Sequence, residues 1–194
     1  MRNVGAVILA AGGSSRFGQP KQLLVLRGET LVRRAMRAAM EARCAPVVVV
    51  VGESVDAIRD ELRETAALIV DNPDWQRGLG SSIRCGLERL VKVASQTEAV
   101  VLLTCDQPSV DARTIAALIA ERDKTGKPVV ASSYASTLGV PALFDRSCFE
   151  ALLALPGDSG AKSLIAARPD DVAAISFEDG AIDIDTPADF QRLR

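Results

Sequence analysis

Apolar residues in this chain follow two rhythms. Residues 4–9, 46–51 and 99–104 are valine-rich and continuously apolar, the pattern of strands covered on both faces in a parallel sheet. Weaker runs at 67–70, 128–131 and 172–176 predict further strands. Between them the apolar positions return every three or four residues. The stretch 29–43 carries Leu31, Val32, Ala35, Met36, Ala39 and Met40 on one helical face. The stretch 54–64 has a polar N-cap residue and then Val55, Ile58 and Leu62 at helical spacing. Helices are also predicted at 81–93 and 111–122, with shorter ones at 152–155, 161–167 and 187–193. Strand alternating with helix over most of the length is the signature of a three-layer, Rossmann-like α/β fold with a mostly parallel central sheet. Ligands in such folds sit beyond the carboxyl ends of the strands. With no internal repeat, low-complexity tract or linker, the expectation is one domain over residues 1–194.

Composition narrows the chemistry. The apolar share of 48% and charged share of 25% are those of a soluble globular protein. Lysine and arginine (23) nearly cancel aspartate and glutamate (25), so no basic excess points to nucleic acid or a membrane. Residues 1–3 lead straight into a strand-like run soon broken by glycine, which predicts neither signal peptide nor membrane span. Cys44, Cys85, Cys105 and Cys148 show no C-x-x-C spacing; buried free thiols in a reducing cytoplasm are the expectation. Histidine is absent. That excludes imidazole triads, histidine zinc sites and a histidine general base. Chemistry must come from Lys, Arg, Asp, Glu, Ser or Cys, with a hard, oxygen-ligated metal as the natural cofactor.

The loop after the first predicted strand carries the strongest motif. Residues 7–21 read VILAAGGSSRFGQPK. Gly13 and Gly18 have Walker spacing, but Gln19-Pro20 follows where Lys-Ser/Thr is needed. The dinucleotide fingerprint fails too, because the glycines fall at 12, 13 and 18. What remains suits a polyphosphate. Small residues let backbone N–H groups approach closely, and Arg16 and Lys21 add a planar fork and a point charge.

L-A-A-G-G-S-S-R-F-G-Q-P-K resembles the signature L-A-A-G-x-S-x-R-M-G-x-x-K of molybdenum cofactor cytidylyltransferase-type nucleotidyltransferases, with Phe17 in place of methionine. Further segments match in order. "DQP" at 106–108 resembles the D-Q-P or D-M-P that supplies a metal-binding aspartate, though an aspartate before a helix is also an ordinary cap. "DIDTPADF" at 183–190 resembles I-D-T-P-E-D, in which Asp185 would reach the metal; Asp185-Thr186-Pro187 also reads as a helix cap. Asp183 is a reserve ligand. "NPDWQRGLGSS" from Asn72 resembles N-P-x-W-x-x-G-M-x-x-S and offers Ser82 as a nucleotide contact, with capping as its competitor and Trp75 as a packing residue. "GVPALF" at 139–144 and "GDSGAK" at 157–162 resemble segments lining the second-substrate pocket, with Lys162 replacing the usual arginine.

The resemblance implies a nucleotidyltransferase fold of the nucleotide-diphospho-sugar transferase type and a Mg2+-dependent enzyme. A substrate phosphate would attack the α-phosphorus of a nucleoside triphosphate and expel pyrophosphate. A phosphate monoester is already anionic near neutral pH, so no general base is needed. Lys21 would meet the α-phosphate and Arg16 the β- and γ-phosphates. Ala10, Ala11, Gly12 and Gly13 would cradle the triphosphate, and Asp106 and Asp185 would hold magnesium. In the family resembled, L-A-A-G goes with cytidine and L-A-G-G with guanine, which implies CTP. The acceptor implied is molybdopterin carrying molybdenum, with a molybdoenzyme or its maturation chaperone as partner. Three alternatives stay open: transfer to a sugar phosphate or isoprenoid-precursor phosphate, a dinucleotide-dependent oxidoreductase, and a non-catalytic nucleotide-binding maturation factor.

Overall fold

A computed structural model of the chain describes residues 3–14 and 17–193. In chain order the elements are β1 (Val4–Ala10), β2 (Val25–Leu26), β3 (Glu29–Thr30), α1 (Leu31–Glu41), β4 (Val47–Val51), α2 (Val55–Leu62), β5 (Leu68–Asp71), α3 (Leu79–Val93) and β6 (Ala99–Thr104). There follow α4 (Ala112–Thr125), β7 (Val129–Tyr134), β8 (Thr137–Asp145), α5 (Phe149–Leu153), α6 (Ala161–Ala167), β9 (Val172–Ser176) and α7 (Pro187–Leu193). Seven strands form one sheet in the order β5-β4-β1-β6-β8-β7-β9. Strand β8 runs antiparallel to both neighbours and every other pairing in this sheet is parallel.

The unbroken apolar runs have a simple cause. Ala6, Ile8, Val47 and Val49 join the core under α1, α2 and α4, while Val7, Leu9, Val48 and Val50 join the one under α3, α5 and α6. Both faces of the sheet are covered, so both parities of each central strand are apolar. This is the expected three-layer α/β architecture. Among the described residues no helix is long and apolar enough to cross a membrane. Cys44, Cys105 and Cys148 are buried free thiols, as expected, whereas Cys85 is only half-buried.

Two hairpins lay outside the sequence reading. Strands β2 and β3 meet through Arg27 and Gly28, both at positive φ (53° and 83°), as a two-residue hairpin turn requires. Glu29 and Thr30 therefore pair as strand, and α1 starts at Leu31 with the Thr30 hydroxyl accepting from Arg33 N. Strand β8 was hidden by Gly139 and Pro141, which break a strand-like pattern. The register against β7 shifts between Ala131 and Ser132, so Val140 and Pro141 fall in the irregularity. Pro141 thus needs no ladder N–H, and its carbonyl accepts from Ser132 Oγ at 2.6 Å.

Candidate functional site

Strands β1 and β6 are neighbours, with Leu9 paired to Thr104, so the loops that leave them are adjacent at the carboxyl edge of the sheet. Asp106 lies two residues beyond β6. The C-terminal segment is tied to the same place, because Ile184 N donates to Asp106 O at 2.9 Å. Between them stands Lys21. Its Nζ donates to Asp106 Oδ2 at 2.7 Å, to Asp185 Oδ1 at 3.1 Å and to the Ile184 carbonyl at 3.4 Å. Three residues 85 and 164 positions apart in sequence thus share one polar cluster. Burial acts to lower the Lys21 pKa, but the Asp106 and Asp185 carboxylates outweigh it, leaving the pKa raised and the group an ammonium at neutral pH.

Neither carboxylate is spent as a helix cap. Helix α4 is capped by Asp111, which accepts from Thr114 N at 2.9 Å. Helix α7 is capped by a reciprocal pair in place of Asp185: Thr186 N donates to Asp189 Oδ2 at 2.9 Å, and Asp189 N to Thr186 Oγ1 at 3.3 Å. The cap reading of Asp106 is therefore corrected, while the Asp185-Thr186-Pro187 cap stands with Thr186 as the capping residue and Pro187 in the first turn. Asp183 joins the cluster electrostatically; burial first, then Asp106 and Asp185, push its carboxyl up to about 6. Among the described residues no three acidic or cysteine side chains converge as a ready metal cage. Two carboxylates, both within hydrogen-bond reach of a single ammonium, are the protein's share. Hard oxygen donors of this kind suit a divalent cation such as Mg2+ or Mn2+.

The loop from Ala10 to Lys21 is braced by a residue the sequence reading missed. Gln22 is 3% exposed. Its Nε2 donates to the carbonyls of Ala10 (2.9 Å) and Gly12 (2.8 Å), and its Oε1 accepts from Ser14 Oγ. Ser14 Oγ in turn accepts from Lys21 N at 2.7 Å. The one available signal was a glutamine facing the core side of "KQLL", since a buried amide must find partners. Phe17 packs against a buried cluster of Leu24, Leu26, Leu31 and Ile184, as do Phe190 and Leu193 of α7, so one small apolar cluster holds both the loop and the Asp185 segment. Arg16 lies outside the described residues.

Trp75 packs, as expected. A Cβ on Gly13 would crowd its ring at 3.0 Å, and one on Gly52, just after β4, would clash with it at 2.7 Å, so the indole lies close against both backbone segments. Ser82 is buried (4% exposed), and its hydroxyl accepts from Asn72 Nδ2 at 3.0 Å. Helix α3 begins at Leu79 behind Gly78, so Ser82 is not its cap. Gln107, also missed, is 5% exposed and donates to Gly180 O at 2.9 Å, which positions the approach to Asp183 and Asp185.

Farther along the edge lie two cavities. One of about 180 Å³ is lined by Leu9, Thr104, Tyr134, Gly139 and Val140. The other, of about 570 Å³, opens between the β7–β8 hairpin and α6, with Thr137, Leu138, Ile165 and Val172 in its walls. Lys162 lines both. Only the start of "GVPALF" faces a cavity, because Ala142, Leu143 and Phe144 are 0% exposed core residues.

Residues 6–172 match the profile of the MobA-like NTP transferase domain. Nicotine blue oxidoreductase of Paenarthrobacter nicotinovorans is 31% identical over 98% of this chain and 96% of its own length. Purine catabolism protein PucB of Bacillus subtilis is 27% identical over 97% of this chain and 94% of its own. The crystal structure of Rv0371c from Mycobacterium tuberculosis superposes with a TM-score of 0.82 at 29% identity, covering 100% of this chain and 98% of that one. A further structure of Rv0371c is a complex with manganese, with a TM-score of 0.77 at 28% identity, covering 99% of this chain and 97% of that one.

Proposed function

Since this chain belongs to the MobA-like NTP transferase family and is a nucleotidyltransferase by that membership, we propose that residues 1–194 act as one domain that transfers CMP from CTP to the phosphate of a molybdopterin-type acceptor. The observation that carries this reading is the Lys21 ammonium held between Asp106 and Asp185 beside the small-residue loop. Such a cluster can exchange partners. An incoming triphosphate offers Lys21 new oxygens and frees the two carboxylates for a divalent cation. Asp106 and Asp185 would hold that metal, which supplies charge neutralisation on the phosphate oxygens when bound. The manganese complex of Rv0371c supports a divalent site in this kind of protein. Asp183 adds negative charge beside it.

Lys21 then takes the α-phosphate and the charge that develops there. The loop at Ala10, Ala11, Gly12 and Gly13, its carbonyls turned toward Gln22, presents its small residues to the triphosphate, with Arg16 on the β- and γ-phosphates. Among the described residues the Ser82 hydroxyl donates to no acceptor, which leaves its hydrogen for the nucleotide. The acceptor enters from the cavities lined by Lys162, whose ammonium has no acidic partner among the described residues and meets the acceptor phosphate. The attacking oxygen is already ionised, so the chain needs only to position two anions and screen their repulsion. The L-A-A-G form of the loop supports CTP, through the resemblance stated above.

One name among the relatives favours a redox reading, which is a property of that Paenarthrobacter protein. In this chain burial pushes the Cys44 and Cys105 thiols up to about 12, so they are not poised as thiolates. Pyrophosphate release, measured with each triphosphate and Mg2+, with and without molybdenum cofactor, tests the proposal. Release with CTP only when that cofactor is present is expected. Release driven by a sugar phosphate would move the chain to another acceptor, and NAD(P)H oxidation without pyrophosphate release would overturn the transferase reading.

A further inference from the structure

One side chain stands against both a cavity wall and the acid-bearing segment. Tyr134, at the end of β7, lines the cavity of about 180 Å³ together with Gly139 and Lys162. Its hydroxyl donates to the Val140 carbonyl at 3.1 Å. Its ring also lies against Gly180, where an added Cβ would come within 2.6 Å of it. Gly180 belongs to the turn at 178–181, and Asp183 and Asp185 follow closely in the chain. That segment is fixed at two further points. Gln107 Nε2 donates to the Gly180 carbonyl, and Ile184 N donates to Asp106 O, both at 2.9 Å. Burial raises the pKa of the Tyr134 hydroxyl, Gln107 opposes the rise, and the Asp183 and Asp106 charges add to it, so the ring stands in the field of the acids. On the cavity side the fit is as close. The three atoms nearest to a Cβ built on Gly139 all belong to Tyr134, and its hydroxyl oxygen would collide with that Cβ. Gly139 is not at positive φ, so its backbone accepts alanine and the tyrosine is the obstacle.

We propose that Tyr134 is a positioning residue for the metal site, wedged so that the cavity wall at Gly139 sets where the segment carrying Asp183 and Asp185 stands. The proposal rests on the reading of Asp106 and Asp185 as metal ligands. A close-packed interior has little free volume, so a push on the ring at Gly139 is passed to Gly180. Mn2+ affinity measured by electron paramagnetic resonance, with CTP and with GTP, tests this without any acceptor. Tyr134→Ala is expected to weaken it about tenfold, as loss of an outer support of a metal site does. Gly139→Ala, which pushes on the ring from the cavity side, is expected to weaken it about fivefold. That second effect should shrink below about twofold in a Tyr134→Phe background, where the colliding oxygen is gone. Thermal unfolding is followed in parallel, because a tyrosine that merely packs lowers Tm and leaves Mn2+ affinity alone. That outcome, or an equal effect of Gly139→Ala in both backgrounds, would overturn the proposal. Gly139→Ala adds one methyl group and removes nothing, so the test stands even if Tyr134→Ala loosens the sheet. Parent protein that binds no Mn2+ with either triphosphate would sink the metal reading, and the proposal with it; binding in the parent that neither variant changes would sink the proposal alone.

Discussion

The two ends of the sheet's carboxyl edge are built on opposite principles. Around β1 and β6 nearly every polar group near the site is held: Lys21 by Asp106 and Asp185, the loop carbonyls by Gln22, the Asp106 turn by Gln107. Around β7, β8 and α6 the walls are mostly apolar, the cavity is wide at about 570 Å³, and Lys162 has no acidic partner among the described residues. A triphosphate presents the same few oxygens whatever its base, so a fixed grip suits it and costs little reorganisation at the moment of reaction. An acceptor is recognised by shape as well as by its phosphate, and an open cavity with a lysine in its wall leaves room for that. Under the proposed function the braced half would perform the transfer, and the open half would choose what receives it.

The largest effect that would break this contrast comes from the braced half. Lys21→Ala should lower turnover about 10²-fold or more, as for loss of one preorganised charge donor, measured as pyrophosphate release under saturating substrates. Gln22→Ala should come next. It leaves the Ala10 and Gly12 carbonyls without their shared donor, so a loss of about 1–3 kcal/mol in urea unfolding and a rise of roughly tenfold in KM for CTP are expected, with the acceptor KM unchanged.

Lys162→Ala should sharpen the contrast from the other side. An exposed cation is worth about 1 kcal/mol or less, so the acceptor KM should rise up to about fivefold while the CTP KM stays put. The smallest effect is electrostatic. Buried beside Asp106 and Asp185, Asp183 titrates at about 6 when folded and near 3.8 when unfolded. Between those values the folded state binds more protons, so stability falls as pH rises through the window and stays lower above it. Asp183→Asn removes that cost. The variant should therefore unfold at a higher temperature than the parent at pH 8, with the gap closing toward pH 4.

The same contrast explains what was legible beforehand. Lys21, Asp106 and Asp185 stand in short motifs close behind strands or at a helix start, and the carboxyl-edge rule for α/β sheets brings such positions together. The central strands were plain because burial on both faces leaves an unbroken apolar run. Strand β8 was not plain: Gly139 and Pro141 look like a break until a register shift in β7 makes room for them. Gln22 and Gln107 were missed because their work is done on backbone carbonyls that only the folded chain brings near. The cap reading of Asp106 failed, and that of Asp185-Thr186-Pro187 held on Thr186 and not on Asp185, for a related reason. A local rule cannot tell which of several adjacent polar residues a helix end will use, and Asp111 and Thr186 took those duties.

The central claim is that one ammonium and two carboxylates exchange partners when a triphosphate and a metal arrive. Mn2+ binding followed by electron paramagnetic resonance, with and without CTP, tests it most directly. The account predicts weak Mn2+ binding to the free protein, marked tightening when CTP draws Lys21 away, and tighter nucleotide-free binding in Lys21→Ala than in the parent, because the competing ammonium is gone. Mn2+ affinity that is indifferent both to CTP and to loss of the Lys21 side chain would contradict it.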